Sequence, residues 1–399
     1  IHYQLGLTQY ELREQEDALN HFLAALTALD DHPESCQDFR RTDVEREIGW
    51  VHYRLGRLQE AMDRAAHALD LAVEGDNFQG EGSAHSLLAA IHFRKGQLDR
   101  AIQHAESSLL TREHVGDVWR AASSQTTLGH LYHQIGRWDD AEKMLRQAIY
   151  VQKEIGDYYT LAGSWTNLGL LLRDRGQYDE ALVCMEEAIR ILPKHDFPLT
   201  QTYTFYINRG SVNLSRKEPK KAIMDFEKSL VGALEQNDRD LTSLVKSYLS
   251  QAKLDAGNLN EAKKYLEEVR KNKPEVKEYQ AEFFRIRSYV LREEGNFQQA
   301  LESNAQAQEI IQDIGNQYQY ARRLVDQTEI QIAQFEAGDR SLLESHVRDN
   351  IVRALEIFED WGAKADKEWA EEILYQVAKE ELTFGEEGFQ AEQTLAAVV

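Results

Sequence analysis

The sequence predicts an all-α protein: a right-handed superhelical solenoid of about eight to nine helix-turn-helix units, ended by a C-terminal capping helix. Three observations predict it. Only five of the 399 residues are proline, while good helix formers abound. Glycine, or a residue standing in for it, returns about every forty positions. Two further columns of small residues keep step with it, one on each side.

The turn column is Gly56, Gly96, Gly136, Gly176, Gly257 and Gly295, at spacings of 40, 40, 40, 81 and 38, with Lys217 filling the wide gap. Five residues later comes alanine: Ala61, Ala101, Ala141, Ala181, Ala222, Ala262 and Ala300, a series begun by Ala18. Seven residues before the turn stands Gly49, Ala89, Gly129, Gly169, Gly210, Ser250 or Ser288, with Gly6 at the start. Antiparallel helices cross closely only where both side chains are small. Glycine at the turn supplies the left-handed backbone that ends the first helix of each pair. Around the columns apolar residues recur at helical spacing, as in Leu128, Leu131, Tyr132 and Ile135. Each pair leaves an apolar face that only the next pair can cover, so the units must stack.

Along the chain, 31–42 adds residues and Pro33, which reads as a longer loop between the first two units. The stretch 75–83 is the most glycine-rich link and a candidate for mobility. A Gly-Asp turn recurs between units at Gly75-Asp76, Gly116-Asp117 and Gly156-Asp157, then degenerates to Asn237-Asp238 and Gly315-Asn316. Pro193 and Pro198 near the midpoint read as a stiffer inter-unit turn rather than a change of curvature. Beyond 319 a last pair is expected over 319–336 and 341–360, separated by Gly338-Asp339, and the run 351–374 is expected to supply a charged closing helix. This gives a solenoid over 1–318, a degenerate terminal repeat and cap over 319–383, and a mobile tail over 384–399. The start at Ile1, inside a helix, reads as that of a fragment.

A net charge of −22 argues against unspecific binding to DNA or to an anionic membrane. Cys36 and Cys184 form no CxxC or His/Cys cluster, so a disulfide framework or zinc site is not expected and a reducing cytoplasm is the simplest setting. No run of about 18 apolar residues suggests a membrane span. Phosphate loops, dinucleotide fingerprints, HExxH, GxSxG and EF-hand patterns are all missing, and neither an enzyme nor a cofactor is expected. His130 and His133 stand three apart on one helix, but no third ligand accompanies them, so they read as groove residues rather than metal ligands. His52 and His92 read as partly buried packing residues. Acid pairs such as Asp139-Asp140 fall in first turns, where carboxylates complement the helix dipole.

Trp165, Leu168, Gly169 and Leu172, followed by pairs such as Ala18 with Phe22 and Ala222 with Phe226, resemble the W-x2-L-G-x2-Y…A-x3-F pattern of tetratricopeptide (TPR) repeats. The period of about 40 rather than 34 resembles the long repeats of kinesin light chains, spindle-orientation adaptors and bacterial STAND-class signalling proteins. The run Ala354 to Phe358 followed by Trp361-Gly362-Ala363 is similar to closing repeats of the last group. The resemblance implies that first helices line a concave groove, with Arg46, Trp50, Tyr53, Arg54, Phe93, Arg94, His130 and His133 in its early half and Asn167, Arg173 and Asn208 beyond. Asn167 and Asn208 match the family's asparagine that bonds a bound peptide's backbone. Arginine forks suit carboxylates, and arginine and aromatic rings are common anchors. The expectation is an interaction scaffold, the sensor of a larger signalling protein, taking an acidic peptide or protein segment. The alternatives are a peptide-pheromone-type receptor and a cargo or cytoskeletal adaptor. Nucleic acid and membrane are not expected as partners, and self-association stays open.

Overall fold

The structure, a computed structural model, describes residues 1–12, 14–31, 38–192, 199–338 and 346–384. Among these residues every regular element is a helix, and there are nineteen. They group by contact into two compact units. The first spans Ile1–Tyr132 with Asp140–Thr160; the second spans His133–Asp139 with the chain from Leu161 onward.

The first unit is built from α1 (His2–Glu11), α2 (Gln15–Asp31), α3 (Asp38–Arg54), α4 (Leu58–Glu74), α5 (Phe78–Arg94), α6 (Leu98–His114), most of α7 (Val118–Gln134) and most of α8 (Trp138–Ile155). The helices α1, α3 and α5 each pair with the even one after them, α3 and α5 also touch, and α7 approaches α8 where Gly129 meets Leu145. The core is a chain of small clusters, one per interface: Ala18, Phe22, Ile48 and Val51 in one, Ala61, Ala65, Leu87 and Ile91 in the next.

The second unit holds most of α9 (Tyr158–Asp174), then α10 (Tyr178–Ile191), α11 (Leu199–Ser215), α12 (Pro219–Glu235), α13 (Arg239–Asp255), α14 (Leu259–Lys271), α15 (Lys277–Glu293), α16 (Phe297–Ile314), α17 (Gln317–Glu336), α18 (His346–Trp361) and α19 (Lys364–Phe384). Its clusters repeat the scheme, with Phe226, Val245 and Leu249 at one interface and Val269, Phe283 and Ile286 at another.

The small-residue columns mark the helix crossings. A Cβ on Gly129 would lie 2.5 Å from Leu145 and 3.2 Å from the Ala141 carbonyl; one on Gly169 would lie 2.8 Å from Met185 and 3.1 Å from the Ala181 carbonyl. Where serine replaces glycine, the Ser250 hydroxyl donates to the equivalent carbonyl, that of Ala262, at 2.9 Å. The close approach is thus kept and the added polar atom is satisfied. At the turn column φ is positive throughout, from +71° at Gly96 to +81° at Gly136, and Lys217 adopts the same left-handed conformation at +58°. The amide of the residue after the left-handed one closes the motif, as in Gln97 N–H to His92 O at 2.9 Å and Glu218 N–H to Asn213 O at 2.9 Å.

Three expectations need correction. The left-handed residue of the first inter-unit turn is Asp76 (φ +49°), not Gly75, so the register is Asp76-Asn77, in step with Gly116-Asp117. The second residue of each such turn is a helix N-cap: side-chain oxygens of Asn77, Asp117, Asp157, Asp238 and Asn316 accept from backbone N–H groups three residues on. The glycine-rich stretch after it is no link but the first turns of α5. Gly80 and Gly82 are buried there because Thr42, Asn77 and Arg112 occupy the space a Cβ would need. Finally, 351–374 is two helices, since Gly362 (φ +66°) breaks it between α18 and α19. The loop with Pro33, Cys36, the Pro193/Pro198 turn, Asp339 and the tail after 384 lie outside the described residues.

Candidate binding site

The structure divides the predicted groove residues between the two units. Arg46, Trp50, Tyr53, Arg54, Phe93, Arg94 and His130 lie on odd helices of the first unit; His133, Asn167, Arg173 and Asn208 belong to the second.

In the first unit they form a ladder. The Arg54 guanidinium stacks 3.7 Å from the centroid of the Tyr10 ring and donates to the Tyr10 carbonyl at 3.2 Å. One unit on, Arg94 repeats the arrangement over Tyr53, donating to its carbonyl at 2.7 Å. Each arginine therefore sits at the C-terminal end of the preceding odd helix, where orphan carbonyls and the helix dipole favour a cation. Trp50 meets Tyr53 edge-on at 5.4 Å, and Phe93 meets His130 at 5.2 Å. Both arginines remain exposed, with guanidinium donors to spare. Arg46 is more committed, reaching Asp43 at 3.0 Å and Glu47 at 2.5 Å.

A pocket of about 450 Å³ opens beside this ladder, lined by Tyr10, Arg46, Glu47, Trp50, Arg54, Ser83, Ser86, Arg112 and Arg120. Sequence reasoning missed the last two. Arg112 is on α6, in the column occupied by the buried Ala72 and Gln152, and that substitution of a cation for a core residue was the available signal. Gly82 leaves room for its stem. Its Nη1 donates to the Ser124 hydroxyl at 2.6 Å and to the Arg120 carbonyl at 3.0 Å. Burial first, and then the neighbouring Arg120 and Arg46, push its pKa down to about 10.

The second unit is different in kind. Arg173 is bound to Asp174 at 2.6 Å, and His133 reaches the other oxygen of the same carboxylate at 2.9 Å. Burial opposes ionisation of Asp174, but Arg173 and His133 outweigh it and hold the carboxyl far below the usual range. Asn167 and Asn208 are half-buried on α9 and α11. A cavity of about 720 Å³ lies along the odd helices, and the chain's own C-terminal helix helps line it through Asp366 and Trp369. Its charges are matched from within: Arg292 with Glu329 at 2.6 Å, Arg285 with Glu282 at 2.6 Å, and Trp369 Nε1 donating to Glu329 at 2.9 Å. Tyr318 donates to Asp366 at 2.5 Å and stacks on Trp361, whose ring covers Gly136.

Paired helices carrying exposed arginines and aromatic rings along one layer define a helical-repeat protein-interaction scaffold. A family profile described as tetratricopeptide repeat matches residues 80–154 and 120–194, and a second of the same description matches 249–314. With the helix-pair architecture, these matches identify tetratricopeptide repeats over 80–194 and 249–314, and such repeats are generally non-catalytic interaction modules. Similar solved structures include BtubC (BKLC) from P. vanneervenii, at 19% identity over 57% of this chain and 92% of that one, TM-score 0.48. A tetratricopeptide repeat protein from Parabacteroides merdae is similar at 15% identity over 71% and 96%, TM-score 0.48. A Rap protein complexed with competence and sporulation factor is similar at 14% identity over 100% and 96%, TM-score 0.48. Sequence comparison with curated proteins gave no match. Among the described residues no helix is long and apolar enough to cross a membrane.

Proposed function

We propose that this chain holds an acidic peptide or protein segment against the odd-helix face of its first unit, as the sensing or regulatory part of a larger signalling protein. The observation that carries the reading is an excess of guanidinium groups there. Arg46, Arg54, Arg112 and Arg120 line one pocket whose only lining carboxylate is Glu47. Arg46 and Arg120 have carboxylate partners in Asp43, Glu47 and Asp117. Arg54 and Arg112 are held by carbonyl and hydroxyl oxygens. A carboxylate arriving there would meet forked donors already positioned by the Tyr10 and Tyr53 rings, so little side-chain entropy is lost on binding. The second unit offers no such excess, because its cavity arginines are paired internally. The regulatory part of the reading rests on the similarity of the 354–363 run to STAND-class closing repeats.

The test is direct. Fluorescent ten-residue peptides rich in Asp, Glu and aromatic residues are titrated into the wild type and into Arg54→Glu/Arg94→Glu. The variant is expected to bind at least tenfold more weakly, and a lysine-rich peptide is expected not to bind at this face. Undiminished affinity in a variant with wild-type circular dichroism rejects the reading.

A further inference from the structure

Half of the exposed large apolar side chains among the described residues, ten of twenty, fall between Val73 and Tyr159. They are ordered. Phe78, Val118 and Tyr158, forty residues apart, each open an odd helix just after an inter-unit turn and are 42%, 54% and 39% exposed. Trp119 and Tyr159 follow them at 50% and 57%, and Ile155 precedes the third turn at 44%. All belong to the first unit. The tips adjoin one another: the Phe78 ring meets His114 edge-on at 5.3 Å, and Trp119 Nε1 donates to Asp157 at 2.6 Å. A shallow groove runs between the second and third turns, walled by Val118, Trp119 and Ile155.

Stacking does not require these side chains. The same position after later turns carries Arg239, Lys277 and Gln317, and those helices form equally well. An apolar tip repeated over three turns and polar at the start of α13, α15 and α17 is a surface feature in its own right. Carboxylates outnumber cations around it, with Glu74, Asp76, Glu113 and Glu154 exposed beside it against an exposed Lys153 and an Arg120 already paired with Asp117 at 2.8 Å.

We propose that this edge docks an amphipathic helix of a partner protein, one whose apolar stripe is bordered by lysine and arginine. Packed helices lie about 8–10 Å apart, and a heptad rises about 10.5 Å along its axis. A helix laid across successive turns therefore presents apolar residues at i, i+7 and i+14 to tips one unit apart. Its basic borders meet the exposed carboxylates, which selects against an acidic helix. A second copy placed edge to edge would bring two acidic borders together, and anionic lipid would be repelled in the same way.

The experiment uses the full chain and an 18-residue fluorescent peptide with leucine at heptad spacing and lysine on its flanks. Its controls are the same peptide with lysine replaced by glutamate and one of identical composition in scrambled order. Only the patterned basic peptide is expected to bind. Val118→Glu/Tyr159→Glu is expected to weaken it at least tenfold, while Arg54→Glu/Arg94→Glu leaves it unchanged, so this docking and the inner-face reading fail separately. Should the glutamates disturb folding, Val118→Ser/Tyr159→Ser serves instead. The proposal is overturned by equal binding of the scrambled peptide or by undiminished binding to the edge variant. It is overturned equally by a concentration-dependent dimer that the edge variant dissolves, or by co-sedimentation with phosphatidylserine vesicles that the variant abolishes.

Discussion

Arg112 and Arg173 carry the same charge and meet opposite fates. Arg173 shares Asp174 with His133 and is neutralised where it stands, whereas Arg112 sits among other guanidinium groups. What separates them is the neighbour: Asp174 follows Arg173 directly in the sequence, whereas the charges beside Arg112 include Arg120 and Arg46, brought in by α7 and α3. Histidine shows the same dependence. His104 lies 3.0 Å from His85 through their Nδ1 atoms and stacks on His92 at 5.3 Å. Burial, then His85, His92 and Arg100, lower its pKa to about 4. The folded value lies below the ordinary one near 6.5, so the unfolded chain takes up this proton first as pH falls. The stability tied to a neutral His104 is therefore complete above about pH 6.5 and is lost progressively toward pH 4. Urea midpoints at pH 7 and pH 5 should fall further apart in the wild type than in His104→Gln. The difference is on the order of 1–2 kcal/mol, and equal losses would contradict the assignment.

At the scale of the helix pair, most of the structure follows from backbone requirements at two turns. Lys217 takes the left-handed conformation that glycine holds in the equivalent turns. Lys217→Gly is expected to stabilise the protein by about 1 kcal/mol, read as a higher urea midpoint with an unchanged slope; a lower midpoint would mean that the side chain contributes more than its strain removes. The helix crossings and these turns were legible in the sequence because a missing Cβ is a property of the residue itself. The inter-unit turn was legible only to within one position. Gly75-Asp76 matches the letters of Gly116-Asp117, but Asp76 can enter the left-handed region and Asn77 can cap α5, and the cap decided the register. Gly80 and Gly82 misled for a related reason: glycine that makes room for Asn77, Thr42 and Arg112 inside a helix reads like glycine in a link. The odd-helix positions of Arg54, Arg94, Tyr53 and Phe93 could be read from the repeat. Arg173 with Asp174 and Arg285 with Glu282 are near neighbours within one helix, but the pairings of His133 with Asp174, Arg292 with Glu329 and Trp369 with Glu329 cross between helices that only the fold brings together.

For the whole molecule, the periodic sequence conceals two units of different character. In the first, Arg54 and Arg94 on the odd helices remain exposed beside half-buried aromatic rings; in the second, the chain's own α19 enters the cavity and the charges pair internally. Interaction scaffolds built from repeats gain specificity from such local differences, since each repeat contacts mainly its neighbours. The central claim is that an acidic ligand is taken by the first unit alone. Amide hydrogen exchange, followed with and without a saturating acidic peptide, tests it most directly. Slowed exchange is expected in α3, α5 and the first turns of α7, with α11, α13 and α15 unchanged. Protection confined to α11–α15 and the cavity lined by Arg285 and Trp369, with none in α3 and α5, would contradict it.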